Sequence, residues 1–258
     1  MKGRLEGRRI IIFGAATGIG AATAKRLVQE GARVCVADIN VEGAARTANA
    51  AGGEAFAVQV DIADEASVNA ATEAAVARFG GLDGAHVNAA DLKIIMQDST
   101  ALDIDLAVFD RTMAVNLRGH LLCTRAVVPH LLKNAASAIV YTSSGAAHAG
   151  EAVRPCYAIT KAGINALARH VAAAYGKKGL TANVIAPGFT VTEQMKAQMQ
   201  ADGTDPKQWS ELYLTRSAAS RLGEPEDHAG VVAMLLSDDG RWISGAIFDV
   251  NGGAMMRA

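Results

Sequence analysis

Arg9-Ile-Ile-Ile-Phe-Gly-Ala-Ala-Thr-Gly-Ile-Gly20 is the stretch on which the reading of this chain turns. Its first half is a short apolar run ending at Gly14, the pattern of a strand buried on both faces. Its second half is a glycine turn leading into a helix from Ile19 to about Glu30, where Leu27 and Val28 continue the apolar face. Glycine permits a tight turn and close approach of backbone to a pyrophosphate, and the free N–H groups and dipole of the helix start attract that charge. Gly14, Thr17, Gly18, Ile19 and Gly20 are therefore candidate phosphate-binding residues, Thr17 through its hydroxyl. Many glycine turns hold no ligand; the position of this one, between a strand and an apolar helix, gives it weight.

The alternation continues outward. Gly31 closes the helix, Ala32 to Ala37 reads as a strand, and an Ala-rich helix follows Asn40. A strand over Ala55 to Val60 precedes Asp61, Asp64 and a helix that runs to Arg78-Phe79. Gly80-Gly81 breaks it before a strand from Leu82 to Val87. A long helical region, Leu106 to Leu132, has a joint near Val115-Asn116. Strands at Ala138–Thr142 and Thr181–Ala186 flank a helix at Tyr157–Tyr175, and a helix near Glu226–Leu236 precedes the closing strand Ala246–Val250. Helical connections at this spacing force parallel strands. The predicted fold is one α/β domain over residues 1–258, a Rossmann-type doubly wound parallel sheet with helices on both faces. The segment 189–221 departs from the pattern: it is polar and Met-rich, and is expected to form one or two short helices as a substrate lid near the carboxyl ends of the strands.

Half of the 258 residues are apolar, enough for one large core. The 25 basic side chains nearly cancel the 26 acidic ones, so composition supports neither a nucleic-acid partner nor an acidic membrane surface. Met1 to Arg9 is mostly charged and lacks a secretory apolar segment, and no apolar run reaches the length of a membrane span. Cys35, Cys123 and Cys156 have no metal-like or redox-pair spacing; they are expected to be packed thiols in a reducing, cytoplasmic compartment, with no metal bound.

Asp38 ends the second strand eighteen residues after Gly20, where a carboxylate can accept both hydroxyls of an adenosine ribose. Capping the following helix is its alternative role. Asp61 is placed either to meet an adenine edge or to cap, and Asn88-Ala89-Ala90 ends the fourth strand in the same crevice. Ile39 and Ile62, next to the two aspartates, complete the expected adenosine contacts. Tyr157 and Lys161 lie four positions apart on one helix face. A phenol is a poor base at neutral pH, and a neighbouring ammonium favours its phenolate. Tyr157 can then remove a hydroxyl proton, or return it in the reverse direction. Ser144 can hydrogen-bond the substrate oxygen, and Asn116, polar among apolar residues, can hold a backbone group or a water bridging to Lys161.

These residues, taken together, resemble the short-chain dehydrogenases/reductases along essentially the whole chain. Gly14-x-x-x-Gly18-x-Gly20, Asp61, Asn88-Ala89, Asn116, Ser144, Tyr157-x-x-x-Lys161 and Pro187-Gly188 follow the family's order and spacing, with Ser144 thirteen residues before Tyr157. The resemblance implies that Asn116, Ser144, Tyr157 and Lys161 are catalytic. It also implies that Pro187, Gly188, Thr190 and Thr192 join Tyr157 and Lys161 around a nicotinamide. Two departures stand out: Ala90 replaces a usual glycine, and Phe13 replaces a common threonine before the first glycine.

The expected function is NAD(H)-dependent hydride transfer between a secondary alcohol and its ketone. A reductase of acyl-carrier-protein-linked 3-oxo esters is the rival within the fold. That role usually goes with NADPH and a basic residue in the phosphate turn, where this chain has Ala16 and Thr17. A non-catalytic dinucleotide-binding regulator would have no need of Ser144, Tyr157 and Lys161 together. Ile94, Ile95, Met96, Met195 and Met199 suggest an apolar substrate body, and His148, Glu151 and Arg154 a polar contact. A small-molecule alcohol or ketone is the expected partner. The small apolar surface of Val108–Val128 and Ala162–Ala174 points to a homotetramer, with a homodimer as the alternative.

Overall fold

Every strand of the sheet runs the same way. In the computed structural model, seven strands lie in the order β3-β2-β1-β4-β5-β6-β7 and all pair in parallel. They are β1 Arg9–Phe13, β2 Arg33–Asp38, β3 Ala55–Gln59, β4 Gly84–Val87, β5 Ser137–Thr142, β6 Leu180–Pro187 and β7 Ile247–Val250. The structure describes residues 3–201, 203, 205, 210–211 and 213–256, without the side chains of 194, 197 and 198. Residues 202, 204, 206–209 and 212 of the expected lid lie outside it.

Alternate residues of each strand face opposite sides, and each side has its own core. Ile11, Phe13, Ala85, Val87, Ile139 and Tyr141 join one cluster. They meet α3 (Glu65–Phe79), α6 (Gly119–Leu131) and α7 (Pro155–Tyr175). Ile10, Ile12, Val34, Val36 and Val140 join the other, beneath α1 (Gly18–Gln29), α2 (Val41–Ala51) and a late helix, Pro225–Leu235. Near-continuous apolar strands are what burial on both faces requires.

The strand order reverses at β1, which pairs with both β2 and β4. Phe13 stands level with Ala37 on one side and Val87 on the other, so the three carboxyl ends open into one crevice. Ligands of open α/β sheets bind at such a switch point. The joint expected near Val115-Asn116 is a five-residue π-helix, Ala114–Arg118, between α5 (Leu106–Met113) and α6. Within 189–221, α8 spans Glu193–Ala201, and Tyr213 stacks on Phe189 with centroids 3.9 Å apart. Among the described residues no helix is long and apolar enough to cross a membrane.

Candidate active site

The phosphate turn is shaped by close backbone approaches. Gly14 has φ +83°, and a Cβ there would lie 2.4 Å from the Ala89 Cα. A Cβ on Gly20 would fall 2.0 Å from the Gly14 carbonyl oxygen, so this glycine lets α1 begin against its own turn. Thr17 is the N-cap residue of α1, but its hydroxyl makes no capping bond, and the first helical turn carries no acidic residue. An exposed hydroxyl, unpaired N–H groups and an uncompensated dipole end suit an anion. Asn88 buttresses the turn, its Nδ2 donating to the Gly14 carbonyl at 2.8 Å.

Asp38 is fixed at the edge of this cradle. Its Oδ2 accepts the Ala16 N–H at 2.9 Å and its Oδ1 the Asn40 N–H at 2.9 Å. The helix after it is capped by Asn40, whose Oδ1 accepts from Gly43 N–H at 3.0 Å. Capping is therefore not what Asp38 does, and a carboxylate with four acceptor positions still has capacity for ribose hydroxyls. Asp61 closes the turn before α3 by accepting the Ala63 N–H at 2.9 Å, while Asp64 is the cap. Ile39 is exposed beside Asp38; Ile62 is buried. The glycine cradle, the uncompensated helix start and the held carboxylate together fit a dinucleotide.

The proton-transfer groups converge where β5 meets α7. Lys161 is 1% exposed, and its Nζ donates to the Thr142 carbonyl at 2.9 Å and lies 5.4 Å from the centre of the Tyr157 ring. Burial pushes this lysine down to about 7. Tyr157 is itself pushed upward by burial; a hydrogen bond with Ser144 and the charge of Arg154 oppose the rise, and Glu151 and Tyr213 add to it. In the protein alone, burial is thus the largest influence on the phenol, holding it above the usual value. Asn116 is fully buried in the π-helix, its Oδ1 accepting the Asp91 N–H at 2.8 Å. Its Nδ2 has no partner among the described residues, a donor aimed at nothing but the interior. Local π-geometry is a common way of turning such a residue inward.

Gly188 ends β6 against the closing strand, where a Cβ would meet the Asn251 Cα at 2.8 Å. Thr192 then crosses the phosphate turn, its Cγ2 lying 3.2 Å from the position of a Cβ on Gly18. The Thr190 hydroxyl is 2.7 Å from His228 Nε2.

A family model described as Enoyl-(Acyl carrier protein) reductase matches residues 14–255. A probable short-chain type dehydrogenase/reductase of Bradyrhizobium diazoefficiens is 39% identical over 98% of this chain and 89% of its own length. The chain belongs to the short-chain dehydrogenase/reductase family. A cis-4-hydroxycyclohexanecarboxylate dehydrogenase of Sinomonas cyclohexanicum is 35% identical over 95% of this chain and 96% of its own. Among solved structures, a 3-ketoacyl-(acyl-carrier-protein) reductase from Brucella melitensis complexed with NADH superposes with a TM-score of 0.86 at 30% identity, covering 98% of this chain and all of that one. This is an oxidoreductase family that binds a nicotinamide dinucleotide.

One residue of this family member's site was invisible in the sequence. Asp98 is buried, and its Oδ2 accepts the Tyr157 N–H at 2.9 Å while Oδ1 meets the Cys156 N–H at 3.5 Å. It caps α7 from 59 residues away in sequence, while Arg154, the local N-cap, lies in the left-handed region (φ 70°) and supplies no side-chain cap. The expected substrate wall is only partly assembled. Ile95 and Met199 are buried, but Met96 is 87% exposed and faces solvent. His148 is turned to Asn165, 3.1 Å from its Nδ2, and Glu151 pairs with Arg154 at 2.8 Å. Cys156 is packed, and burial pushes its thiol up to about 11.

Proposed function

We propose that this protein is an NAD(H)-dependent dehydrogenase that interconverts a secondary alcohol, carried on an apolar ring, and its ketone. The convergence of Ser144, Tyr157 and Lys161 at the crevice mouth carries this reading. Ser144 holds the substrate oxygen beside the Tyr157 hydroxyl, and Tyr157 takes the alcohol proton during oxidation or returns it during reduction. Lys161, anchored on the Thr142 carbonyl, supplies positive charge to the phenol and a route for its proton towards Asn116. A nicotinamide dinucleotide, which the Gly14–Gly20 turn and Asp38 would hold, would supply the hydride acceptor or donor and, when oxidised, positive charge beside Tyr157 and Lys161.

Asp38 supports NAD(H) over NADP(H). A 2′-phosphate removes one ribose donor and brings negative charge against the fixed carboxylate. Arg33, the basic residue of the same strand, is committed at the far end, to Glu54 at 2.6 Å and over the Phe79 ring. The ring-borne alcohol is supported by the hydroxycyclohexane named in one relative. The solved 3-ketoacyl reductase favours a second reading, reduction of a carrier-linked 3-oxo ester. Residues 189–221 act as a lid in this proposal, and the three free, buried cysteines agree with a cytoplasmic setting.

A homotetramer is part of the same proposal. An apolar groove of about 500 Å³, lined by Met113, Ala114, Leu117, Leu121 and Leu167, runs along α5, α6 and α7, and Trp242 is fully exposed before β7. The deciding test is a steady-state screen of diverse cyclic alcohols with NAD, of the ketones with NADH, and of a 3-oxoacyl thioester. Turnover of ring alcohols, abolished in Tyr157→Phe with dinucleotide binding retained, is expected. Turnover confined to the thioester selects the second reading, and near-normal turnover by Tyr157→Phe removes the acid–base role.

A further inference from the structure

The face of the sheet turned away from Tyr157 carries a buried polar pair that packing alone does not require. His86 on β4 is fully buried, and its Nε2 lies 2.8 Å from the Thr142 hydroxyl on β5. Their neighbours on that face are Ile10, Ile12, Val140 and Ile185. Burying an imidazole and a hydroxyl among aliphatic side chains is costly unless they bond each other, and even then the net gain is only about 1 kcal/mol. Two valines would fill such a place without that cost. His86 Nδ1 has no partner among the described residues, so the Nε2 bond to Thr142 is what fixes the ring in one arrangement, and direction is what the polar pair adds.

Thr142 is where direction matters. Its carbonyl is the acceptor for Lys161 Nζ at 2.9 Å. The next residue, Ser143, returns a bond from Oγ to the Lys161 carbonyl at 3.0 Å, and Ser144 follows. The end of β5 is thus tied to α7 on one face and to His86 on the other. We propose that His86 is a positioning residue, which by holding Thr142 from behind the sheet fixes the carbonyl that anchors Lys161 and the turn that presents Ser144. This rests on reading Tyr157 and Lys161 as the proton-transfer couple.

Several groups share the field around this pair. His228 faces His86 from the Pro225–Leu235 helix, and burial pushes the two imidazoles to about 4 and about 3, so both are neutral at ordinary pH. From the opposite face of the sheet, His120 of α6 lies within electrostatic reach of His86, and Lys161 of α7 bonds the Thr142 carbonyl. Loosening the Thr142 carbonyl takes an acceptor from the Lys161 ammonium and favours its neutral amine. With an oxidised dinucleotide bound, whose charge would bring the Tyr157 phenolate into the range where Lys161 is still protonated, less ammonium charge faces Tyr157 and its phenolate forms at higher pH.

The test is the double variant His86→Val/Thr142→Val, which removes both partners and leaves no orphaned polar atom, with Thr142→Val and Thr142→Ser as single variants. With cyclohexanol-type substrates and NAD, the double variant should keep a melting temperature close to the unaltered protein. Its kcat should fall about tenfold, the size of one weakened hydrogen bond to a charged group. The acidic limb of the oxidation profile should move to higher pH, and Thr142→Ser should restore it relative to Thr142→Val. In the complex with NAD and independently of any substrate, the ultraviolet phenolate band of Tyr157, taken as the difference from Tyr157→Phe, should appear at higher pH in the double variant. An unshifted phenolate band overturns the proposal, as does lost activity without a shifted profile, which is what a loosened core would give. If the double variant does not fold, the Thr142→Val and Thr142→Ser pair decides by the same band. Should no alcohol or ketone turn over in the unaltered protein, the proposed activity fails while the phenolate titration still decides the role of His86.

Discussion

Acidification through the ordinary histidine range should destabilise this protein well before its carboxylates titrate. His86, His120 and His228 are at most 1% exposed. Burial pushes His86 to about 3, His228 to about 4 and His120 well below its usual value of 6.5. The unfolded chain therefore takes up protons near pH 6.5 that the folded chain refuses. Stability is complete above that value and is lost as pH falls from it towards about 4. Between about pH 7 and about pH 5.5 each histidine contributes a loss of ~1.2 kcal/mol, or ~4 kcal/mol for three. That is a large share of the ~5–15 kcal/mol typical of a folded domain. Glu30, Asp83 and Asp227, whose carboxyls are held below their usual values, titrate beneath this window. Lys161, at about 7, adds a smaller term of the same sign at its upper edge. Urea unfolding followed by fluorescence at fixed protein concentration measures the loss directly. His120 is fully buried with no side-chain partner and only the Val87 backbone beside its ring, so His120→Leu should remove about a third of the pH dependence. A midpoint that stays constant across the window, or a slope unchanged in His120→Leu, would refute the reasoning.

Asp98→Ala should cost about 1–2 kcal/mol, the range of a lost helix cap, and should lower kcat; Asp98→Asn should retain most of both, by thermal melts and steady-state kinetics. Catalytic efficiency should favour NAD over NADP at least about tenfold, equivalent to ~1.4 kcal/mol, and Asp38→Ala should narrow the gap chiefly through KM for NAD. An equal or higher efficiency with NADP would show that Asp38 has another role. Leu121→Arg should break a tetramer into smaller species by light scattering, because it places a charge on the apolar groove of α6; a stable monomer in the unaltered protein at micromolar concentration would remove the assembly altogether. Saturating NAD and substrate should slow protease cleavage within 189–221, and equal rates with and without them would mark that segment as a passive insertion.

The linear order of residues was enough for everything that depends on local pattern. Apolar strands of fixed length, separated by helices of fixed period, allow little besides a parallel sheet with two covered faces, and glycines 14, 18 and 20 announce a turn by their own backbone freedom. Tyr157 and Lys161 share a helix face at any tertiary arrangement, and Asp38 ends its strand whatever lies beside it. Folding decided what those groups meet. Only across the sheet does Asn88 reach the Gly14 carbonyl, and only from a distant loop does Asp98 reach the amide of Tyr157. Only the fold brings His228, 38 residues away, against the Thr190 hydroxyl. Tyr157 and Lys161 illustrate the same division in energy: their spacing is local, but their titration is set by desolvation, which exists only once both cores have closed around them.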